Sequence, residues 1–320
     1  MIYPKFLDNK STIGICAPSS GVGHKLDKYK KSLDNLKSNG FYIRETKSVR
    51  NNNPRSTTAK NRAKELDELI CNSKVDMVLT AAGGDYMAEI LPFINFKHIK
   101  ENPKWLCGMS DPTNLLFLVT TNLDIATMYG HNAGSFNELT KSKEVAIDYF
   151  KGNTKTQKSY KRYTSFLDEN ITYPVKWISK KECTFKGRLI GGCIDVISKL
   201  IGTKYDNVNN FIDKYKDDGI IWYFDIFSMS SYDFYLTLLQ FKEAGWFRYT
   251  KGILVSRVAF PTVLDKKLGY TKALDKVFKN IPHISEVDIG HVDPTMTFIN
   301  GAIATVSYKG GKGIVKQELS

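Results

Sequence analysis

The order of hydrophobic patterns along the first 130 residues constrains the fold most strongly. Short apolar runs typical of buried strands alternate with segments in which apolar residues recur every three or four positions. The runs cover 12–17, 41–45, 75–81 and 105–109, and the helical segments cover 26–36, 58–71 and the residues after Asp111-Pro112. Strands that alternate with helices predict an α/β fold with a largely parallel sheet and helices on both faces.

The pattern changes after about residue 150, and 320 residues are enough for about two domains. Residues 151–181 are polar and weakly periodic, whereas strand and helix patterns resume at Phe185 and continue to residue 308. We therefore predict an N-terminal domain over 1–150, a connector over 151–184 and a C-terminal α/β domain over 185–320. The glycine-rich stretch 310–313 does not fit a phosphate-binding loop, and we expect it to be a flexible tail.

Composition excludes several classes of protein. An odd number of cysteines, five, without a C-x-x-C pair argues against a disulfide framework and a zinc ribbon, and we expect neither metal nor cofactor. The net charge is +13, but only eight of the 46 basic residues are arginine and the lysines are scattered, so we expect a solvated surface rather than a nucleic-acid partner. The apolar run 115–119, which no other run exceeds in length, is too short for a membrane span, and the N-terminus has no secretory pattern. These features favour a cytoplasmic protein without a membrane partner.

Three residues with chemically useful side chains follow predicted strands. Ser110, Asp225 and His291 supply a hydroxyl, a carboxylate and an imidazole at the carboxyl ends of strands, where open α/β sheets bind ligands. This set is the inventory for nucleophilic acyl transfer. Each residue also has a structural interpretation, as a helix cap, a turn residue and a loop residue respectively. The order Ser-Asp-His is that of the α/β-hydrolases, but their G-x-S-x-G motif is absent, which disfavours an ordinary member of that class.

Two glycines, Gly83 and Gly84, directly follow the predicted strand 75–81. Without side chains they allow the backbone to approach a ligand and to present N–H groups to it. A tight turn or a phosphate loop remains an alternative. The sequence from Gly83 to Ala88 lacks the G-x-G-x-x-G spacing of a dinucleotide site.

Several motifs together resemble one family of enzymes. They are GICAPSS at 14–20, AGGD at 82–85 with LP at 91–92, CGMSDPT at 107–113 and GRLIGG at 187–192, followed by weaker likeness around Asp225 and in GHVDP at 290–294. In this order, over about 13–305, the sequence resembles the serine peptidases of the L,D-carboxypeptidase family, which includes the microcin C immunity peptidases.

The resemblance implies a two-domain α/β protein with its active site between the domains and a Ser–Glu–His triad. Ser110 matches the nucleophile and His291 the base, while Asp225 falls where the family usually has Glu. The backbone N–H groups of Gly83, Gly84 and Asp111 are expected to stabilise the oxyanion. Because Asp is one methylene shorter than Glu, the side chain reaches His291 only if the backbone lies roughly 1 Å closer.

The implied activity is a serine-type carboxypeptidase that releases D-alanine from murein tetrapeptides in the cytoplasm, as a homodimer. Two alternatives remain: an immunity-type peptidase that inactivates a peptide–nucleotide antibiotic, and a weakly active or non-catalytic peptide-binding relative, which the shorter Asp225 favours. The substrate-binding residues are not identified. Arg188 is one candidate for recognising a terminal carboxylate, although a surface arginine before a strand is an equal interpretation.

Overall fold

The computed structural model describes residues 1–265 and 267–320 and divides them into two compact units. The first unit consists of Met1–Thr154 with Thr297–Ile299, and the second of Lys155–Met296 with Asn300–Ser320. The strands are β1 Thr12–Cys16, β2 Tyr42–Glu45, β3 Met77–Thr80, β4 Trp105–Gly108, β5 Thr127–Tyr129, β6 Thr156–Lys158, β7 Arg162–Thr164, β8 Thr172–Pro174, β9 Cys183–Cys193, β10 Ile220–Asp225, β11 Thr250–Ser256, β12 His283–Val287, β13 Phe298–Asn300, β14 Ile303–Lys309 and β15 Lys312–Glu318. The α-helices are α1 Leu26–Ser38, α2 Ala59–Cys71, α3 Phe96–Glu101, α4 Thr113–Leu123, α5 Lys141–Phe150, α6 Ile194–Ile197, α7 Val208–Lys214, α8 Ser231–Glu243 and α9 Tyr270–Val277.

The first unit contains a six-stranded sheet in the order β13-β5-β4-β3-β1-β2. Its strands β1 to β5 pair in parallel, as the alternating pattern predicts. The helix α4 is buried from Thr113 to Thr121, which explains why its sequence is apolar on nearly every face. Because the strands are parallel, the loops after β1, β3 and β4 meet at one edge of the sheet.

The second unit is built on a seven-stranded sheet in the order β12-β11-β10-β9-β14-β15-β6. The strands β9 to β12 are parallel, and β14, β15 and β6 join them in antiparallel pairs. Three buried aromatic rings join β10 to α8. Trp222 of β10 stacks on Trp246, and Trp246 stacks on Phe241 of α8. This packing fixes the strand that carries Asp225 at its end. The prediction of a mixed α/β fold is confirmed in both units.

The glycine-rich stretch near the C-terminus is not a flexible tail, so that expectation is wrong. Gly310 and Gly311 have positive φ angles of 54° and 80° and connect β14 to β15 in a tight hairpin, with Lys309 paired to Lys312. A two-residue turn with left-handed backbone at both positions strongly favours glycine, because it has no Cβ. The two glycines therefore form the turn between β14 and β15.

The segment 151–184 forms more structure than its polar composition indicates. It contributes β6 to the edge of the second sheet and pairs β7 with β8 in a separate two-stranded sheet. One buried residue, Trp177, anchors the segment, and its indole N–H donates to the carboxylate of Asp288 at 2.9 Å. Isolated anchors of this kind leave no periodic pattern in the sequence. Among the described residues, none of the helices combines the length and the apolar character that crossing a membrane requires.

Candidate active site

Ser110 lies in the turn that leads from β4 into α4. Its φ angle is +73°, a left-handed conformation that is uncommon for a residue with a side chain and that recurs at functional sites. The backbone N–H of Ser110 donates to the hydroxyl of the buried Tyr129 at 3.3 Å. A strained serine between a strand and a helix is the local geometry of a nucleophile elbow, although the G-x-S-x-G motif is absent.

Gly83 and Gly84 lie against this turn and against the loop after β1. A Cβ atom on Gly83 would come within 2.9 Å of the Cβ atom of Ser110, so only glycine allows this approach. Gly84 has a φ angle of +142°, and a Cβ atom there would collide with the hydroxyls of Ser19 and Ser20. The structure therefore places the glycine pair beside Ser110, while the role of its N–H groups as oxyanion donors stays a prediction.

The side chain of Asp111 joins three segments around Ser110. It is almost fully buried, and its carboxylate accepts a hydrogen bond from the hydroxyl of Ser19. It also accepts from the backbone N–H of Met87 at 2.7 Å and from the side-chain amide of Asn114 at 2.9 Å. A buried carboxylate with several donors is stable as an anion and holds those donors in place. The acidic group next to Ser110 thus fixes the turn rather than facing solvent.

Two further residues in the first unit, both missed by the sequence analysis, hold the Ser110 turn and the loops that follow β1 and β3. The side-chain oxygen of Asn132 accepts from the backbone N–H of Met109 at 3.0 Å, and its side-chain amide donates to the carbonyl of Met109 at 3.3 Å. Arg62 is buried, donates to the carbonyls of Pro18 and Tyr86 at 2.9 Å and forms an ion pair with Glu89 at 2.6 Å. Their partners lie far away in sequence, so local patterns give no signal of these roles.

In the second unit, Asp225 and His291 form a buried pair. Asp225 ends β10, and His291 follows β12 after a short turn. The carboxylate oxygen Oδ2 lies 2.7 Å from Nδ1 of the imidazole, and the backbone N–H of His291 donates to Oδ1 at 3.4 Å. At 2.7 Å the carboxylate and the imidazole are in direct contact, and protonation of the imidazole turns this contact into an ion pair.

Gly290 makes this contact possible. Its φ angle is +75°, and a Cβ atom there would lie 1.9 Å from the carboxyl carbon of Asp225. The missing side chain therefore provides the space that the carboxylate of Asp225 occupies.

We expect Gly290→Ala to lower activity much more than the addition of one methyl group usually does. The added methyl group must displace the carboxylate of Asp225 and also adopt an unfavourable left-handed backbone. We predict a loss of at least about 100-fold in kcat/KM, the order expected when a catalytic group is misplaced by about 1 Å. Gly269→Ala is a matched control, because a Cβ atom at Gly269 meets nothing within 4 Å. Equal activity of the two variants would contradict the proposed importance of the Asp225–His291 contact.

Two carboxylates, of the half-buried Asp195 and the buried Asp288, hold the loops that carry the pair. Asp195 accepts hydrogen bonds from the backbone N–H groups of Phe227, Ser228 and Met229 at 2.8–3.0 Å, which orders the loop after Asp225. Asp288 forms a fully buried ion pair with Arg257 and orders the turn before His291. Neither role was visible in the sequence, because the bonded partners come from other segments.

An aromatic cluster surrounds the imidazole of His291. The ring of Phe227 lies 4.5 Å away between centroids, and the ring of Phe166 lies 6.4 Å away. Phe260 packs against both phenylalanines, at 5.2 Å and 4.9 Å. Phe166 and Phe260 remain substantially exposed. An adjoining cavity of about 270 Å³ is lined by Phe166, Tyr163, Arg257 and other side chains of this unit. An isolated apolar pair, Phe166-Leu167, inside a polar segment was the available sequence signal.

The surroundings of His291 change its acidity. Burial disfavours the imidazolium form, but the carboxylates of Asp225 and Asp195 outweigh this effect and raise the pKa of His291 above its ordinary value. An imidazole whose protonated form is stabilised in this way is well suited to accept a proton and return it.

Arg188 is unsuited to the carboxylate-binding role considered for it. It is buried, forms an ion pair with Asp218 at 2.6 Å and lies over the ring of Tyr215. Its guanidinium also donates to the carbonyl oxygens of Gly301 and Ser320. These contacts tie β9 to the end of the chain, so Arg188 serves the structure of the second unit and is not a surface arginine either.

Comparison with known proteins identifies the family. Residues 13–130 match the model of the LD-carboxypeptidase N-terminal domain, and residues 186–306 match that of the LD-carboxypeptidase C-terminal domain. The chain belongs to the LD-carboxypeptidase family. This confirms the resemblance noted in the sequence, and membership supports a hydrolase activity of the peptidase type.

Individual relatives agree with this assignment. The microcin C7 self-immunity protein MccF of Escherichia coli is 26% identical over 276 residues, which cover 79% of this chain and 77% of MccF. A Vibrio cholerae protein is 28% identical over 224 residues, which cover 64% of this chain and 66% of the relative, slightly less than two thirds of its length.

Solved structures show the same fold. MccF in complex with aspartyl sulfamoyl adenosine superposes with a TM-score of 0.84 at 20% identity and covers 100% of this chain and 99% of MccF. A muramoyltetrapeptide carboxypeptidase from Oxalobacter formigenes gives a TM-score of 0.77 at 19% identity, with 96% and 99% of the two chains covered. At these identities the likeness concerns the fold alone.

Proposed function

We propose that this protein is a serine-type carboxypeptidase in which Ser110 is the nucleophile, His291 the general base and Asp225 the acid that orients it. The observation that carries the proposal is the buried Asp225–His291 pair, 2.7 Å apart, in a member of a peptidase family. The left-handed turn at Ser110, packed against Gly83, supports the assignment of the nucleophile.

In the proposed reaction the hydroxyl oxygen of Ser110 attacks the carbonyl carbon of the scissile amide while its proton passes to Nε2 of His291. The amide C–N bond then breaks, and the imidazolium returns the proton to the departing amine. Water repeats the sequence on the acyl-serine ester and releases the acid. Asp225 stabilises the imidazolium throughout, because its carboxylate faces Nδ1.

The negative charge that develops on the carbonyl oxygen needs donors that are in place beforehand. We propose the backbone N–H groups of Gly83, Gly84 and Asp111 for this role. The bonds of the Asp111 side chain to Ser19, Met87 and Asn114 keep these segments rigid, which supports the assignment. One such donor is typically worth about 3 kcal/mol of barrier.

We propose murein tetrapeptides as the substrate, with D-alanine as the released residue. The family, named for LD-carboxypeptidase activity, and the fold shared with a muramoyltetrapeptide carboxypeptidase support this choice. A cytoplasmic location is proposed from the sequence and a homodimer from the family resemblance; cell fractionation and light scattering would test them.

A second candidate function is the inactivation of a peptide–nucleotide antibiotic. The cluster of Phe166, Phe227 and Phe260, of which Phe166 and Phe260 are exposed, favours it, because aromatic rings stack well on a nucleobase. The relative MccF has been solved with aspartyl sulfamoyl adenosine and with glutamyl sulfamoyl guanosine. A weakly active binding protein is disfavoured, because the close approach of Asp225 to His291 keeps the acid and base together.

The stereochemistry of the terminal residue separates these functions. Under the murein proposal, a tetrapeptide ending in D-alanine should be hydrolysed at least about tenfold faster than its L-alanine epimer, a difference of about 1.4 kcal/mol in transition-state binding. Chiral chromatography of the released alanine measures both rates, and Ser110→Ala corrects for any contaminating peptidase. Equal rates, or hydrolysis of a peptide–adenylate conjugate alone, would exclude the murein substrate and support the second function.

The raised pKa of His291 predicts the pH dependence of the reaction. A general base must be neutral, so kcat/KM should rise with pH through a midpoint above about 6.5, the ordinary value for histidine. In Asp225→Asn the carboxylate that raises the pKa is absent while burial still lowers it, so the midpoint should move to lower pH. A profile whose midpoint is the same in both proteins would show that another group limits the reaction.

A further inference from the structure

A second group of reactive side chains lies on the first unit, where α2 faces α3. Asp67 and Cys71 are four residues apart and so project from the same face of α2, and His98 lies on α3. One ligand atom of each, a carboxylate oxygen, the thiol sulfur and the imidazole Nδ1, lies within 4.8 Å of the other two. These residues take no part in the proposed reaction.

The distances within this group are close to those of a tetrahedral metal site. The Nδ1 atom of His98 lies 2.8 Å from Oδ1 of Asp67 and 3.4 Å from Sγ of Cys71. A tetrahedral zinc ion with ordinary bond lengths separates nitrogen from sulfur by about 3.6 Å and nitrogen from oxygen by about 3.3 Å. The nitrogen–sulfur distance is therefore about 0.2 Å and the nitrogen–oxygen distance about 0.5 Å shorter than with a bound ion, and the sulfur and oxygen atoms lie no more than 4.8 Å apart. Rotations of the three side chains would admit the ion.

The surrounding structure holds the three groups while leaving them accessible. The backbone N–H of His98 donates to the Asn95 side chain, which caps α3, and the ammonium of Lys104 donates to the Leu69 and Asn72 carbonyls at the end of α2. About one third of each side chain of Asp67 and His98 is exposed, and Cys71 is exposed. An ion can thus enter from solvent, and water can complete its coordination.

We propose that Asp67, Cys71 and His98 bind one Zn²⁺ ion with a water molecule as the fourth ligand. A thiolate, an imidazole and a carboxylate form a donor set that zinc accepts and that magnesium and calcium do not favour. When the Zn–S bond forms, the thiol proton of Cys71 passes to solvent. The ion joins the end of α2 to α3, so its effect is on the stability of this region and not on the chemistry at Ser110.

An ordinary ion pair is the competing interpretation. Protonated His98 beside Asp67 would account for the 2.8 Å contact without any metal. It does not account for the thiol of Cys71, which approaches the same nitrogen atom. The two interpretations therefore differ in whether Cys71 takes part in binding an ion.

Cobalt titration of the full-length protein tests the proposal, since Co²⁺ reports its ligands by colour. After treatment with a chelator, titration with CoCl₂ should produce a thiolate-to-cobalt charge-transfer band together with the visible bands of tetrahedral cobalt. The absorbance of these bands should saturate at one equivalent of cobalt per protein. Addition of ZnCl₂ should remove both bands by displacement. Cys71→Ser should abolish the charge-transfer band. His98→Ala and Asp67→Asn should weaken binding by at least about tenfold, because the loss of a group that only supports a ligand already costs that much.

Cys183→Ser is the matched control, because Cys183 is another partly accessible thiol and should leave the spectrum unchanged. The melting temperature of Cys71→Ser in chelator should equal that of the parent protein, which separates loss of binding from misfolding. Absence of a charge-transfer band in the parent protein, or its retention in Cys71→Ser, would overturn the proposal. Peptidase assays of the same variants are expected to be unchanged, so failure of this proposal and failure of the proposed function are distinguishable.

Discussion

Ser110→Ala is expected to lower kcat by at least about 1,000-fold, because triad members act together and each contributes several orders of magnitude. The remaining rate would come from substrate binding and from the oxyanion donors alone. The variant should fold, since alanine keeps Cβ and the contacts of the Asp111 side chain do not involve the Ser110 hydroxyl. Steady-state hydrolysis of the tetrapeptide measures the loss.

Ser38→Ala is a suitable control for this measurement, because Ser38 is an exposed serine at the end of α1. It should retain full activity. If Ser110→Ala kept more than about a tenth of the parent rate, the assignment of Ser110 as nucleophile would be wrong.

His291→Ala should be about as damaging as the loss of Ser110, since the serine then has no base to receive its proton. The partner acid offers a sharper test of the geometry. Asp225→Glu adds one methylene to a fully buried side chain whose carboxylate already packs against Gly290 and reaches His291. We therefore expect Asp225→Glu to lose activity, by about tenfold or more, as an overpacked and misplaced acid would.

Asp225→Asn, which keeps the size of the side chain, is the matched comparison. It removes the charge and favours the wrong tautomer of the imidazole. If Asp225→Glu were fully active instead, the site would accept the family's usual acid, and the close fit against Gly290 would not determine which acid is used.

The fold was largely predictable from the sequence because its strands and helices carry strong periodic patterns. The strands β1, β3 and β4 and the helices α1 and α2 lie within a few residues of their predicted bounds. Prediction failed where single contacts replace a pattern. The 310–313 stretch forms a hairpin through two left-handed glycines, and the segment 151–184 is anchored by Trp177. The strand β12 ends at Val287, and the residues after it form the turn that leads to His291.

The site was predictable only as a list of residue types at strand ends. The sequence pointed to Ser110, Asp225 and His291, and the structure shows what each one contacts within its own unit. The sequence could not reveal that Asn132 holds the serine turn, that Arg62 holds the loops after β1 and β3, or that Asp195 orders the loop after Asp225. Those bonds join segments more than 20 residues apart, and composition and periodicity carry no information about such pairs.

The most direct test of the account is to locate the nucleophile chemically. A fluorophosphonate should react with one serine, and peptide mapping by mass spectrometry should find the adduct on Ser110, with labelling strongly reduced in His291→Ala because the base that activates the hydroxyl is missing. An adduct on another serine, or undiminished labelling of Ser110 in His291→Ala, would contradict the proposal that Ser110 and His291 act together.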